Sequence, residues 1–338
     1  MSRPLFEVIA PGLLTTVQDA GRKGFQKFGV SPNGALDMYS YRMANFLVGN
    51  RDEAALELTL VGPTLKVLAS ATVAVCGGDL SPSLNGSPAP RWESFVVREG
   101  DVLSFGKCRG GSRAYLAVSG GLDVKPVMGS RSTDLLARLG GLGGRPLKRG
   151  DVLYCREAEP APPGRCVPPE YIPEFPSEVV LRVVPGPQDD HFSPKGLETF
   201  FSSTYEVTSD SDRMGCRLEG PAIEHLGGAD IISDGVPLGA VQVPKHGRPI
   251  ILLAGRQTVG GYAKIAVVIT PDVDRVAQLK PGDRVRFQRV SLEKAQRELG
   301  KYLGKMDPGI IRQRSEKVSR YIIKINGRRF ETVVEELS

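Results

Sequence analysis

The chain repeats itself, because four short motifs occur in the same order in both of its halves. The matched segments are EVIAPGLLTTVQD (7–19) with LRVVPGPQDDHF (181–192), LELTLVGPTLKVL (56–68) with RLEGPAIEHL (217–226), NGSPAP (85–90) with HGRPII (246–251), and VREGDVLSF (97–105) with LKPGDRVRF (279–287). A third Gly-Asp turn occurs in LKRGDVLY (147–154), so a single match of this kind is weak evidence for a duplication. Four matches in one order favour a duplicated structural unit.

The repeated unit has the character of short strands joined by tight turns. The segments 71–78, 113–121, 248–255 and 263–270 are apolar and bounded by glycine or threonine. Forty glycines and 26 prolines are more than a helical protein of this size would carry. We therefore predict a mainly β fold of two tandem β-barrel or sandwich-like domains with a few short helices.

A proline-rich segment separates the two halves and is typical of a linker. The predicted parts are residues 1–155 (first β-barrel domain), 156–178 (linker), 179–290 (second β-barrel domain) and 291–338 (a helix followed by a hairpin). The hairpin prediction rests on two alternating strands in 321–337 that flank Asn326-Gly327, a type I′ turn signal.

Charge and cysteine content exclude several classes of protein. Residues 291–338 contain eleven Lys/Arg and seven Asp/Glu, a net of +4 out of +6 for the chain, so the rest is nearly neutral and nucleic-acid binding is not expected. No apolar run is long enough for a secretory signal or a membrane span. The five widely spaced cysteines lack zinc-binding spacing, so we expect reduced thiols, no metal site and a cytoplasmic protein.

Polar residues cluster beside glycines in the second half. Glycine lets a backbone approach a ligand closely, and glutamine, threonine and tyrosine form neutral hydrogen bonds suited to amide or ureido edges. The candidate residues in this half are Gln242, Lys245, Arg256, Gln257, Thr258, Gly260, Gly261 and Tyr262. Structural roles are open for the same residues: the glutamines could satisfy strand ends, Lys245 could lie in a solvated turn, and Tyr262 could fill the core.

A second polar segment lies in the first half, where TTVQDAGRKGFQKFG (15–29) leads into a helix pattern. Gln18, Asp19 and Arg22 are candidates to face a ligand, while a helix from about Ala35 would offer free N–H groups at its start. Asp19 and Arg22 could instead form a local ion pair, and Asp37 could simply lie in the first helical turn.

Several of these motifs together resemble the biotin-dependent carboxyltransferase family, which includes the C subunit of 5-oxoprolinase, allophanate hydrolase subunit 2 and KipA-type proteins. The matching runs are TTVQDAGRKGFQKFGVSPNGALD, ANFLVGN, GSRST, PGPQDDHF, SDRMG, RLEGP, GAVQVP and RQTVGGY, which span about residues 3–290 in order. The resemblance implies two linked cyclophilin-like β-barrels. It also implies a KipI-type partner (the B subunit of 5-oxoprolinase), with the A subunit of that enzyme or a biotin carrier as further possible partners.

The resemblance also implies two related chemistries on a small amide. In biotin-dependent carboxyl transfer, Gln242, Gln257, Thr258 and the Gly260–Gly261 amides would hold the oxyanion and the amide. The carboxylate would contact Lys245, Arg256 or Arg22. In ATP-dependent opening of 5-oxoproline with Mg, Asp19 or Asp37 would position water or magnesium, and Arg22 would face phosphate.

The tail and the motifs leave three functions open. The hairpin resembles the start of a biotin carrier domain, which favours carboxyl transfer to a urea-like or guanidine-like amide. The alternative is a generic hairpin, because Asn-Gly hairpins are common in their own right. The family motifs fit a component of 5-oxoprolinase equally well. A KipA-type regulatory protein that binds its partner without turnover is the third alternative.

Overall fold

The computed structural model describes residues 2–314 and the backbone of residues 318–325 and 328–335. The predicted mainly β fold is confirmed: among the described residues there are 24 strands and four α-helices. No helix in this part of the chain has the length and apolar character needed to cross a bilayer.

The first half contains eleven strands and one α-helix. They are β1 (Ser2–Ala10), β2 (Leu14–Gln18), α1 (Met38–Leu47), β3 (Ala55–Thr59), β4 (Thr64–Val67), β5 (Ala71–Asp79), β6 (Ser83–Leu84), β7 (Ser87–Pro88), β8 (Ser94–Val97), β9 (Val102–Ser104), β10 (Gly110–Val118) and β11 (Val152–Arg156). They form two sheets, ordered β11-β1-β4-β9-β6-β7 and β2-β3-β10-β5-β8.

The alternation of side chains along β5 and β10 explains why the second sheet is buried on both faces. Val73 and Val75 point into the core between the two sheets, whereas Ala74 and Cys76 pack with the residues of α1 on the other face. Successive side chains of a strand point to opposite faces, so an unbroken apolar run is what a doubly covered strand requires.

The second half forms a closed barrel. Its elements are β13 (Glu178–Pro185), α2 (Pro194–Ser202), β14 (Tyr205–Val207), β15 (Gly215–Glu219), β16 (Asp230–Gly235), β17 (Ala240–Gln242), β18 (Ile250–Leu252), β19 (Val259–Tyr262), β20 (Lys264–Val268), α3 (Thr270–Ala277) and β21 (Arg284–Arg289). Seven of the strands close in the order β13-β20-β17-β18-β15-β14-β21. Among the described strands, the remaining two, β16 and β19, pair only with each other and form an antiparallel ribbon.

The first half inserts a loop into the second. Leu36 belongs to the hydrophobic core of the barrel, and the Asn33 amide donates to Ala254 O at 3.0 Å. Asn33 and Gly34 both have positive φ, which lets the turn at 33–34 reverse the chain tightly. The helix that follows begins at Met38 rather than near Ala35, because the Asp37 side chain accepts the Ser40 N–H and caps it.

Further elements lie between the two halves and after the barrel. Two short strands, β12 (Arg165–Cys166) and β22 (Arg312–Gln313), pair with each other. The predicted helix after the barrel is present as α4 (Leu292–Lys305). The strands β23 (Val318–Ile325) and β24 (Arg328–Glu335) pair antiparallel, whereas the predicted Asn326-Gly327 turn lies outside the described residues.

Candidate functional site

A cavity of about 390 Å³ lies on the outer wall of the second-half barrel. It is lined by Met214, Gly215, Arg217, Gln242, Pro244, Lys245, His246, Ile250, Leu252, Gln257 and Tyr262. Arg217 pairs with Ile250, which pairs in turn with Gln242, so three adjacent strands contribute to one row. The neighbouring residues Cys216, Val241 and Ile251 belong to the barrel core, which places the row on the outside.

The β16–β19 ribbon lies beside this wall and is tied to it by a buried lysine. Lys264 pairs with Gln242 in the barrel and is fully buried. Its ammonium donates to Asp234 Oδ2 of the ribbon at 3.0 Å. That hydrogen bond holds the pKa of Asp234 below its ordinary value. Tyr262, at the end of the ribbon, lines the cavity and is 41% exposed, so it is not a core residue.

Two glutamines meet inside the cavity. Gln257 Nε2 donates to Gln242 Oε1 at 3.3 Å, and Gln242 Nε2 donates to Tyr262 O at 3.4 Å. These contacts leave the Gln257 carbonyl oxygen and one N–H of each amide for a ligand. An acceptor beside donors matches the edge of an amide, a lactam or a ureido group.

Gly260 allows the glutamine pair to approach the ribbon backbone. A Cβ on Gly260 would lie 2.7 Å from Gln242 Nε2 and 3.3 Å from Gln257 Nε2. Gly261 faces more open space, since a Cβ there would meet its nearest neighbours at 3.6 and 3.8 Å. Only the first of the two predicted glycines is therefore required by close contact with the glutamines.

Two other predicted residues of this half lie outside the cavity lining. Arg256 is buried, and it donates from Nε to Val236 O at 2.9 Å and from Nη1 to Leu253 O at 3.3 Å. Burial lowers the pKa of this guanidinium. Thr258 contributes its carbonyl to the Val236 N–H. Both residues hold the segment before β19 in place.

The side chains of the three polar candidates in the first half form hydrogen bonds within that half. Asp19 accepts hydrogen bonds from Ser130 Oγ at 2.7 Å and from the Arg131 N–H at 2.5 Å. The fully buried Arg22 donates to the carbonyls of Val127 and Ser132, both at 3.0 Å. Within the described chain no ion pair joins Asp19 to Arg22, so the local pair considered from the sequence is not formed.

Gln18 occupies the same region. Its side-chain amide donates to Thr16 Oγ1 at 2.9 Å and to Thr133 O at 3.2 Å. The polar loop therefore fastens residues 130–133 to its own half, and none of its three candidates lines the barrel cavity.

Asp37 lies in a different place, at the contact between the two halves. It borders a second cavity of about 310 Å³ that also contains Asp274 and Tyr302. Burial raises the pKa of the Asp37 carboxyl, although hydrogen bonds from Ser40 and Gln278 oppose the shift. Its geometry is that of a helix cap and of an anchor between the halves.

The family of the chain follows from comparison with known proteins. A model of the carboxyltransferase domain, subdomains A and B, matches residues 28–289. The chain belongs to the carboxyltransferase domain family. In this carboxyltransferase domain the matched range includes every residue that lines the barrel cavity.

Two relatives and one solved structure illustrate the similarity of this carboxyltransferase domain. It is 38% identical to the C subunit of 5-oxoprolinase from Escherichia coli K12, a match that covers 86% of this chain and 93% of the relative. It is also 38% identical to urea amidolyase of Lachancea kluyveri, covering 86% of this chain but 17% of that protein. The crystal structure of Kluyveromyces lactis urea amidolyase superposes with a TM-score of 0.84 at 34% identity, covering 92% of this chain and 20% of that one.

Sequence reasoning missed three polar residues in and around the cavity of this carboxyltransferase domain. Arg217 lines it from β15, and Lys264 and Asp234 join the barrel wall to the ribbon. Arg217 stands in the RLEGP motif, which was interpreted only as part of the repeat and of the family resemblance, without a role for the arginine itself. Within the described part of the chain, no three His, Cys, Asp or Glu side chains are grouped as a metal site.

Proposed function

We propose that this chain is the C subunit of a 5-oxoprolinase-type enzyme, in which it binds a small cyclic amide. The observation that carries the proposal is the 38% identity to the C subunit of 5-oxoprolinase over 93% of that relative. The glutamine pair in the barrel cavity supports it, because its free acceptor and donors match a lactam edge. A volume of about 390 Å³ is also in the range of small-molecule sites.

In the proposed role, the two glutamines, Tyr262 and Gly260 have separate tasks. Gln257 Oε1 accepts the ligand N–H, and the remaining amide N–H groups donate to the ligand carbonyl, where negative charge develops when the amide is attacked. Tyr262 covers one side of the ligand and excludes water. Gly260 keeps the two amides close to the ribbon.

We assign ATP and Mg to the partner chains of the enzyme. This chain lacks a phosphate-binding GxxxxGK[ST] motif. Among the described residues, no three carboxylate or other metal-binding side chains lie close enough together to hold a magnesium ion. The partners proposed are the B subunit, which is KipI-type, and the A subunit of the same enzyme. Five free thiols fit a reducing, cytoplasmic setting.

Carboxyl transfer is the second candidate function, and a specific observation favours it. The match to the urea amidolyase structure covers 92% of this chain, and the antiparallel pairing of β23 and β24 supports a carrier-like hairpin in the tail. When bound, biotin would supply a carboxylated ureido group, whose N–H and C=O edge fits the same two glutamines. Gln242 and Gln257 would orient that edge, and Tyr262 would shield it from water.

The test is release of ADP by this chain reconstituted with its partner subunits on 5-oxoproline, urea and guanidine, with and without avidin. Turnover of 5-oxoproline that is insensitive to avidin is the expected result. Avidin-sensitive turnover of another amide would favour carboxyl transfer. Tight partner binding without turnover of any substrate would contradict both and favour a KipA-type regulatory role.

A further inference from the structure

The barrel cavity is positively charged. Of the described residues that line it, Arg217 and Lys245 carry formal charges, and none is an aspartate or a glutamate. Positive charges that face one concave space whose lining contains no acid raise the local concentration of anions. The lining therefore favours an anionic ligand over a neutral or cationic one.

Both cations are available to a ligand. Neither the Arg217 guanidinium nor the Lys245 ammonium forms an ion pair or a hydrogen bond with another described residue, and both side chains are exposed. Nearby cations differ: Arg248 is paired with Glu219, and Lys264 with Asp234. The two cations at the cavity therefore have no carboxylate partner among the described residues.

Arg217 is also well placed relative to the glutamines. It lies two strands from Gln242 in one cross-strand row, with Ile250 between them. Adjacent strands are about 4.8 Å apart, so the two Cα atoms are separated by about 10 Å. A long arginine side chain can thus reach one end of a small ligand whose other end contacts the amides. Lys245 follows β17 by three residues and flanks the same space.

We propose that Arg217, assisted by Lys245, is a specificity-determining residue that binds a carboxylate, so that the cavity selects ligands with both a carboxylate and an amide edge. The inference rests on the proposed function and refines it. Guanidinium provides a planar pair of donors that matches a carboxylate in a bidentate geometry. The carboxylate could belong to the substrate, as in 5-oxoproline, or to carboxylated biotin.

The first experiment measures binding by titration calorimetry on the full chain. The probes are 5-oxoproline and 2-pyrrolidinone, the same lactam ring without the carboxylate. The wild-type chain should prefer 5-oxoproline, and Arg217→Gln should weaken that ligand about tenfold or more while leaving 2-pyrrolidinone unchanged. Arg286→Gln, on the exposed side of β21, is the matched control and should have no effect. Equal affinity for the two lactams would overturn the inference. If the chain binds neither lactam, the second experiment decides it, and an inactive complex in that case overturns the inference as well.

The second experiment distinguishes the two sources of the carboxylate in the reconstituted complex. A rise of about tenfold in KM for 5-oxoproline in Arg217→Gln, insensitive to avidin, assigns the carboxylate to the substrate. Loss of avidin-sensitive urea turnover in the same variant assigns it to carboxylated biotin. Full activity of Arg217→Gln on whichever amide the wild-type complex uses overturns the inference. A wild-type complex inactive on every amide overturns the proposed function instead, and the comparison of lactams then decides the inference alone.

Discussion

Gln278 donates from Nε2 to Asp37 Oδ2 at 2.6 Å and so joins the second half of the chain to the first. The same side chain binds the backbone of β10 where its pairing with β5 is interrupted between Gly110 and Ala114. Its Oε1 accepts the N–H groups of Ser112 and Arg113 at 3.1 and 3.0 Å, and Nε2 donates to Arg113 O at 3.0 Å. A side-chain amide here takes the place of a peptide unit of a neighbouring strand.

Replacing this amide should be costly. Gln278→Ala leaves two N–H groups, one carbonyl and one carboxylate without their partner in a site that is 3% exposed. Each unpaired buried polar group costs about 1–3 kcal/mol, and water that enters the space left by the side chain offsets part of this cost. We therefore expect the free energy of unfolding to fall by about 3 kcal/mol. Urea denaturation measures it. Gln288→Ala, at an exposed position of β21, is the control, and an equal effect of both variants would contradict the proposed bridge.

A buried ion pair provides a second connection between the halves. Arg213 Nη1 contacts Glu57 Oε1, and Nη2 contacts Gly34 O. Arg213→Met should cost about 3–5 kcal/mol, because it leaves a buried carboxylate without its cation. The double variant Glu57→Gln/Arg213→Met should be more stable than Arg213→Met alone. Denaturation of wild type and of both variants checks this order, and a double variant no more stable than Arg213→Met alone would contradict it.

The same ion pair makes the stability of the fold depend on pH in the acidic range. Burial alone would raise the pKa of the Glu57 carboxyl, but Arg213 and Arg113 hold it below its ordinary value. A depressed pKa gives stability that is present above the unfolded-state value, about 4.3, and is lost as pH falls through the folded-state value. Between pH 6 and 3, wild type should therefore lose more unfolding free energy than Glu57→Gln. Parallel curves for the two proteins would contradict this.

Asp274 should show the opposite pH dependence. Its carboxylate accepts the N–H groups of Met38 and Tyr39 at 2.9 and 3.2 Å, and burial together with the charge of Asp37 raises its pKa well above the ordinary value. A raised pKa gives stability that is complete below the unfolded-state value and is lost as pH rises through the folded-state value. The melting temperature of Asp274→Asn minus that of wild type should thus become more positive from pH 4 to 8. A constant or falling difference, measured by calorimetry, would contradict it.

These contacts show what the sequence could not predict. Gln278 and Asp37 are 241 positions apart, and no local pattern relates them. The polarity of Gln18, Asp19 and Arg22 was visible, but not the direction of their side chains, which turn toward residues 127–133 of the same half. Local sequence shows which segments are polar, whereas tertiary contacts decide what each polar group meets.

The cavity illustrates the part that was predictable. Gln242 ends the strand β17, and Gln257 lies 15 residues later, just before the ribbon strand β19. Glycines mark the turns beside both residues. Arg217 comes from a strand separated from β17 by β18, and only closure of the barrel brings it to the same wall. The mainly β class was predictable because strand alternation and Gly/Pro turns are local signals.

Gly260 tests the glutamine pair directly. Gly260→Ala places a Cβ against both amides and 3.1 Å from Val236 Cγ2. Because the nearest atom, Gln242 Nε2, ends a flexible side chain, the fold should adjust by moving that amide. Neither Gly260 nor Gly261 has positive φ, so backbone strain does not contribute. We expect about a tenfold rise in KM of the reconstituted enzyme for the amide it turns over, with less than about 1 kcal/mol change in unfolding free energy.

Gly261→Ala is the matched control for this change, one residue along the same strand. The added methyl group would meet Ile231 O and Ser233 Oγ at 3.6 and 3.8 Å, which are ordinary contacts, so KM should stay within about twofold of wild type. Equal KM values for the two variants would show that the glutamines do not position the substrate. A rise in KM confined to Gly260→Ala would assign that task to the glutamine pair, because the two substitutions add the same group to the same strand and differ in what it touches.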